Sequence, residues 1–186
     1  MNQPIEKKDY SAGLRRPTKK KEFELLWERY FKWNRCSTYY PIKNRFSRCD
    51  YFLTSGLTTG DCSLVIEYKN RETVGVADYP TCFIEREKLE RNLLLTEIVD
   101  SHFMYVVDYK DAVVCWKIEA DHNLKADTVM CPVENGSVEL VAKPLYHLQF
   151  KDAELVIAKK KYSRASVDQL LRYIKLIRKD VYGEED

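Results

Sequence analysis

The decisive stretch is Arg48-Cys49-Asp50-Tyr51-Phe52-Leu53, then Thr54-Ser55-Gly56-Leu57-Thr58-Thr59-Gly60-Asp61, then Ser63-Leu64-Val65-Ile66-Glu67-Tyr68-Lys69. Two short runs of apolar, aromatic and β-branched residues flank a segment of turn chemistry, which predicts a β-hairpin. Residues i and i+2 of a strand share a face, so Glu67 and Lys69 point together. Directly opposed residues also share a face. With Asp50 opposite Val65, the four side chains of Asp50, Val65, Glu67 and Lys69 lie on one side. A slip of one residue would send Asp50 to the other side. Adjacent carboxylates repel, and a hard divalent cation relieves that repulsion. Mg²⁺ takes such oxygens together with waters and phosphate oxygens. A lysine beside the ion stabilises the attacking water or helps to deprotonate it, which is the equipment for metal-assisted hydrolysis of a phosphodiester.

The acid-x-Lys pattern occurs three times, at Glu6-Lys7-Lys8, Glu67-Tyr68-Lys69 and Asp108-Tyr109-Lys110. The first lies in a polar arm with no strand to orient it. The third sits at a strand end before a turn, where an acid and a lysine read as ordinary surface residues. Only the middle one follows a β-type run and has an upstream acid on a candidate partner strand. Its structural alternative is an exposed, salt-bridged strand face.

Outward from the hairpin, residues 1–17 are polar and interrupted by Pro4 and Pro17, and read as a flexible basic arm. From Thr18 to about Asn34 the residues Phe23, Leu26, Trp27, Tyr30 and Phe31 recur at helical spacing. An aromatic connector leads through Pro41 to the hairpin. Residues 83–99 predict a charge-rich helix with Phe83, Ile84, Leu89, Leu93, Leu94 and Ile98 as its apolar positions. Residues 103–107 and 112–118 predict two strands around Lys110-Asp111. Residues 138–141 and 145–150 predict further short strands. Ser166 and Gln169 have the spacing of a capping box, opening a last helix with Val167, Leu170, Leu171, Ile174 and Ile177 on its apolar face. The fold class is therefore α/β (α+β), a mixed sheet flanked by helices, in one domain over 18–186.

The chain has 186 residues, 45% hydrophobic and 12% aromatic, enough to bury a core. No apolar run approaches a membrane span and no secretory signal opens the chain, so an intracellular protein without a membrane partner is expected. Cys36, Cys49, Cys62, Cys82, Cys115 and Cys131 form no C-x-x-C pair and read as reduced, mostly buried thiols. The net charge of +2 conceals basic segments at 7–21, 29–48 and 158–179, set against an acidic stretch at 85–154. Bases interleaved with aromatics suit a phosphate backbone and unpaired bases. Ordinary solvated faces would look the same.

An acidic helix, an Asp-bearing strand, a hairpin and a strand ending Ile66-Glu67-Tyr68-Lys69 together resemble the PD-(D/E)XK nuclease superfamily, in its Holliday-junction-resolvase-like branch. The resemblance runs from about Lys20 to Ile118. It implies a restriction-endonuclease-like core. Asp50 and Glu67 would hold the metal, Lys69 would be the catalytic lysine, and Glu24 (with Glu28 as second choice) an auxiliary acid in the first helix. Lys88, on the following helix, would approach the site. Cys49 stands before Asp50, where such proteins often have proline, and the region after 120 matches no known pattern.

The resulting expectation is a nuclease that uses Mg²⁺ or Mn²⁺ to hydrolyse DNA, including branched or structured DNA. Asp50 and Glu67, with the Tyr68 carbonyl, would be the metal ligands. Arg45, Arg48, Arg71 and Lys88 are candidate phosphate contacts, with Lys159, Lys160, Lys161 and Arg164 as a second group. Family analogy adds a homodimer. Two alternatives stay open: a nuclease-fold protein that binds nucleic acid or a protein without cutting, and an adaptor docking through the aromatic segment from Trp33 to Phe46.

Overall fold

The computed structural model describes residues 36–41, 49–55, 62–71, 73–120, 122–132, 138–159 and 163–182. The elements in chain order are β1 (Cys36–Pro41), β2 (Tyr51–Ser55), β3 (Cys62–Arg71), β4 (Cys82–Glu85), α1 (Arg86–Ile98), β5 (His102–Tyr109) and β6 (Ala112–Ile118). Then follow β7 (Lys125–Pro132), β8 (Leu140–Leu148), a 3₁₀ turn (Phe150–Asp152), β9 (Leu155–Ala158), β10 (Ser163–Ala165) and α2 (Val167–Tyr182). Seven strands form one sheet in the order β1-β2-β3-β5-β6-β9-β10, and β4-β8-β7 form a second. Among the described residues only β3 and β5 run parallel, joined by a crossover through β4 and α1; every other described pair is antiparallel. The expected mixed α/β architecture is therefore present.

The large sheet is apolar on both faces because β5 and β6 are near-continuous runs of buried Val, Phe, Tyr and Trp. On one face Val65, Phe103, Tyr105, Val107 and Trp116 pack with Leu89 of α1 and Leu170 and Ile174 of α2. The opposite face carries Tyr51, Ile66, Tyr68, Met104, Val106 and Cys115. Trp116 is buried and donates its indole N–H to the Gln149 carbonyl at 2.9 Å, so its one polar atom is satisfied. α1 ends where Asp100 takes the left-handed conformation (φ 46°) and the Ser101 amide turns back to the Thr96 carbonyl, aiming the chain into β5. α2 opens on the expected capping box: Ser166 N–H donates to Gln169 Oε1 at 2.8 Å and Gln169 N–H to Ser166 Oγ at 3.1 Å.

Several expectations are corrected. Phe83 and Ile84 belong to strand β4, not to a helix, because they pair with His147 and Tyr146 of β8. The stretches 138–141 and 145–150 are not two strands: β8 runs unbroken through Pro144. Its partner β7 carries Lys125, Asp127 and Thr128, so no alternating apolar pattern marks it in the sequence. The connector before Pro41 contains strand β1. α1 buries Leu89, Asn92 and Thr96, while Leu94 and Ile98, expected on its apolar face, are exposed. Beyond Ile118, β9 pairs with β6 and α2 packs into the same core, so the sheet extends past the segment that carries the family resemblance. Cys49, Cys82 and Cys115 are buried free thiols, as expected, and Cys131 is partly exposed.

Candidate active site

β2 and β3 pair in the register Tyr51 opposite Ile66 and Phe52 opposite Val65. Asp50 therefore falls at the level of Glu67, not opposite Val65 as expected. The difference is two residues, and an even slip preserves the face. Phe52 and Val65 both join the core cluster under α1, so the face shared by Asp50, Glu67 and Lys69 is the one that α1 covers.

Asp50 stands in the bend before β2 and extends the ladder by one step. Its amide donates to the Ile66 carbonyl at 2.8 Å. Its Oδ2 accepts the Tyr68 amide at 2.9 Å. The carboxylate thus takes the place of a main-chain carbonyl just before β2 begins, which fixes it against β3. Glu67 is 5% exposed, an unusual position for an acid unless it is paired. Its partner is Lys88, whose Nζ donates to Glu67 Oε1 from the first half of α1. Burial works against the Lys88 charge, but the carboxylate of Glu67, then those of Asp50 and Glu85, outweigh it and hold the ammonium above the usual lysine range. Lys88 therefore lies in the field of both acids of the candidate pair.

Lys69 lies two residues beyond Glu67 on the same face and is exposed. Arg71, at the end of β3, lays its guanidinium over the Phe83 ring at 4.3 Å from the centroid. Tyr68 points to the other face, where its hydroxyl donates to Asp108 Oδ2. Asp108 is 1% exposed and also pairs with Lys159 Nζ. Asp108 is thus a buried acid rather than the surface residue its strand-end position suggests. Lys159 is drawn to it, on the opposite face from Glu67, rather than standing as a solvent-facing base. Arg164 sits in β10 opposite Ile157. Glu24, Arg45, Arg48, Lys160 and Lys161 lie outside the described residues.

Reading from the sequence missed Asn92. It follows Lys88 by one helical turn, is completely buried, and donates its Nδ2 to the Lys88 carbonyl at 2.9 Å. Its Oδ1 is buried with no hydrogen-bond partner among the described residues. The only available signal was a polar residue at i+4 from Lys88 on a face otherwise read as leucine-lined.

The donor set that could hold a metal is Asp50 and Glu67. Among the described residues no group of three or more His, Cys, Asp or Glu side chains is arranged for a metal ion. Two hard carboxylates nevertheless fit Mg²⁺, which commonly takes one or two carboxylates and keeps several waters. The fit also rests on the pair's demand for positive charge, which Lys88 now meets. Among the described residues no helix is long and apolar enough to cross a membrane.

No protein-family model matches the chain. No curated protein matches it either. Among solved structures it is similar to that of Archaeoglobus fulgidus Hjc, a Holliday junction resolvase from an archaeal hyperthermophile. The identity is 12% and the TM-score 0.38, over 80% of this chain and 98% of that one. A likeness this distant bears on neither activity nor site residues.

Proposed function

We propose that the chain is a metal-dependent nuclease that hydrolyses phosphodiester bonds of DNA, with Asp50, Glu67 and Lys69 at its centre. What carries this reading is the convergence of an acid fixed by the β3 main chain (Asp50) and a buried acid (Glu67) under a helix lysine. Asp50 and Glu67 would hold Mg²⁺ or Mn²⁺, with the Tyr68 carbonyl as a further oxygen. A cation bound there would supply Lewis acidity toward a phosphate oxygen and the attacking water. The residues of the chain do the rest. Asp50 and Glu67 are immobilised by the ladder and by burial, so the geometry they impose carries little reorganisation cost. Lys69, exposed on the same face, orients the water and offsets charge developing on the phosphate. Arg71 and Lys88 would contact neighbouring phosphates, and Arg45, Arg48, Lys160, Lys161 and Arg164 are further candidate phosphate contacts by their charge. Glu24 serves as the auxiliary acid.

A panel of linear, branched and single-stranded DNA, with RNA counterparts, incubated with Mg²⁺ and with Mn²⁺, tests the reading. Cleavage by the wild type should fall by about two orders of magnitude or more in Glu67→Gln and Lys69→Ala, the scale of losing one transition-state contact. Cleavage that survives in both variants would remove these residues from the chemistry. The Lys88–Glu67 ion pair favours one second reading, a DNA-binding protein that cuts nothing, because the pair satisfies Glu67 without a metal. Salt-sensitive DNA binding with no cleavage under any condition would select it.

A further inference from the structure

Glu67 is already served by a cation of the chain itself. Lys88 reaches it from α1, yet the side chain remains 40% exposed, against 6% for Glu67. α1 packs into the core through Leu89, with Leu93 and Leu95 against the same cluster, so Lys88 can leave Glu67 without unpacking α1. Asp50, by contrast, is tied to the main chain of β3 and cannot follow it. One member of the acid pair is therefore fixed, the other is buried, and the ammonium paired with the buried one sits on a side chain that is partly in water.

Resting on the proposed metal site, we infer that Lys88 is the resident counter-cation of the Asp50–Glu67 pair and that a divalent cation binds there by displacing it. The exchange keeps the buried Glu67 neutralised throughout, which avoids stranding its carboxylate out of water. It also turns the Lys88 ammonium outward, toward the side from which a phosphate would approach, only once the metal is in place. Lys88 is then a gate on metal entry rather than a support that holds Glu67 in shape for the metal. The two roles predict opposite signs.

The test is calorimetric titration of the full chain with Mn²⁺ for wild type, Lys88→Gln and Asp50→Asn. It is paired with mass-spectrometric measurement of lysine acetylation in the wild type with and without Mn²⁺. Removing the competing charge should tighten Mn²⁺ binding about tenfold, the scale of one charge-assisted hydrogen bond that no longer has to be broken. Acetylation of Lys88 should rise on Mn²⁺ addition relative to exposed Lys110. Unchanged or weaker Mn²⁺ binding in Lys88→Gln, with binding still lost in Asp50→Asn, would overturn the exchange and leave the metal site standing. If Lys88→Gln does not fold, the wild-type acetylation decides: no rise at saturating Mn²⁺ refutes displacement. Absence of Mn²⁺ binding in every protein, or binding indifferent to Asp50→Asn, would overturn the metal site and the exchange with it.

Discussion

Removing either partner of the Lys88–Glu67 pair should have very unequal effects on stability. In Lys88→Met, Glu67 stays where it is, 6% exposed, beside Asp50 and without the Lys88 ammonium. Breaking a buried pair from one side costs about 3–5 kcal/mol because the remaining charge is uncompensated. Lys88 itself is 40% exposed, so the pair is not fully dry, and the lower end, about 3 kcal/mol, is the better figure. For a domain of this size that corresponds to a fall in Tm of about 6–12 °C. In Glu67→Gln the residue left behind is Lys88, which can turn its ammonium into water. The expected change is within about 1 kcal/mol, like the loss of an exposed pair. The assay is thermal and urea unfolding of both variants at neutral pH in the presence of a chelator, so that no metal contributes. Equal destabilisation by the two substitutions, or a Lys88→Met variant as stable as wild type, would show that Glu67 is not the buried and dependent partner.

Two further outcomes follow from groups away from that pair. Asp108→Asn leaves Lys159 without its carboxylate at 19% side-chain exposure and should cost about 2–4 kcal/mol. Adding Lys159→Met should then cost much less than the sum of the two singles, and additivity in that double-mutant cycle would show that the pair does not interact. Tyr173 is raised from 10.0 to about 12, first by burial and then by the hydrogen bond its hydroxyl donates to Asp111 Oδ2 at 2.9 Å. Because the folded value lies above the unfolded one, its contribution is fully present below pH 10 and is lost as pH climbs through about 12. Wild type minus Tyr173→Phe ultraviolet difference titration should show that late ionisation, and a midpoint near 10 would refute the contact.

The hairpin, the two long apolar strands and the capped last helix were legible because each is a local pattern: alternation, a continuous β-branched run, and a serine three residues before a glutamine. The shared face of Asp50, Glu67 and Lys69 was legible too, since parity along a strand survives any even slip in register. The slip itself, Phe52 rather than Asp50 opposite Val65, was not, because it depends on where β2 begins and an aspartate side chain takes over the ladder. Lys88 could be named as a residue on a nearby helix, but only packing chose its azimuth. α1 buries Asn92 and Thr96 and exposes Ile98, against any reading of its leucines. The parallel neighbour of β3 is β5, and this pairing brings Asp108 beneath Tyr68, buries it and assigns it Lys159, all from residues far apart in the chain. The common face of Asp50, Glu67 and Lys69 was thus written in the order of residues, as the parity of two neighbouring strands. Which charge neutralises which was decided only when the sheet closed, because burial turns a carboxylate's choice of partner from an option into a requirement.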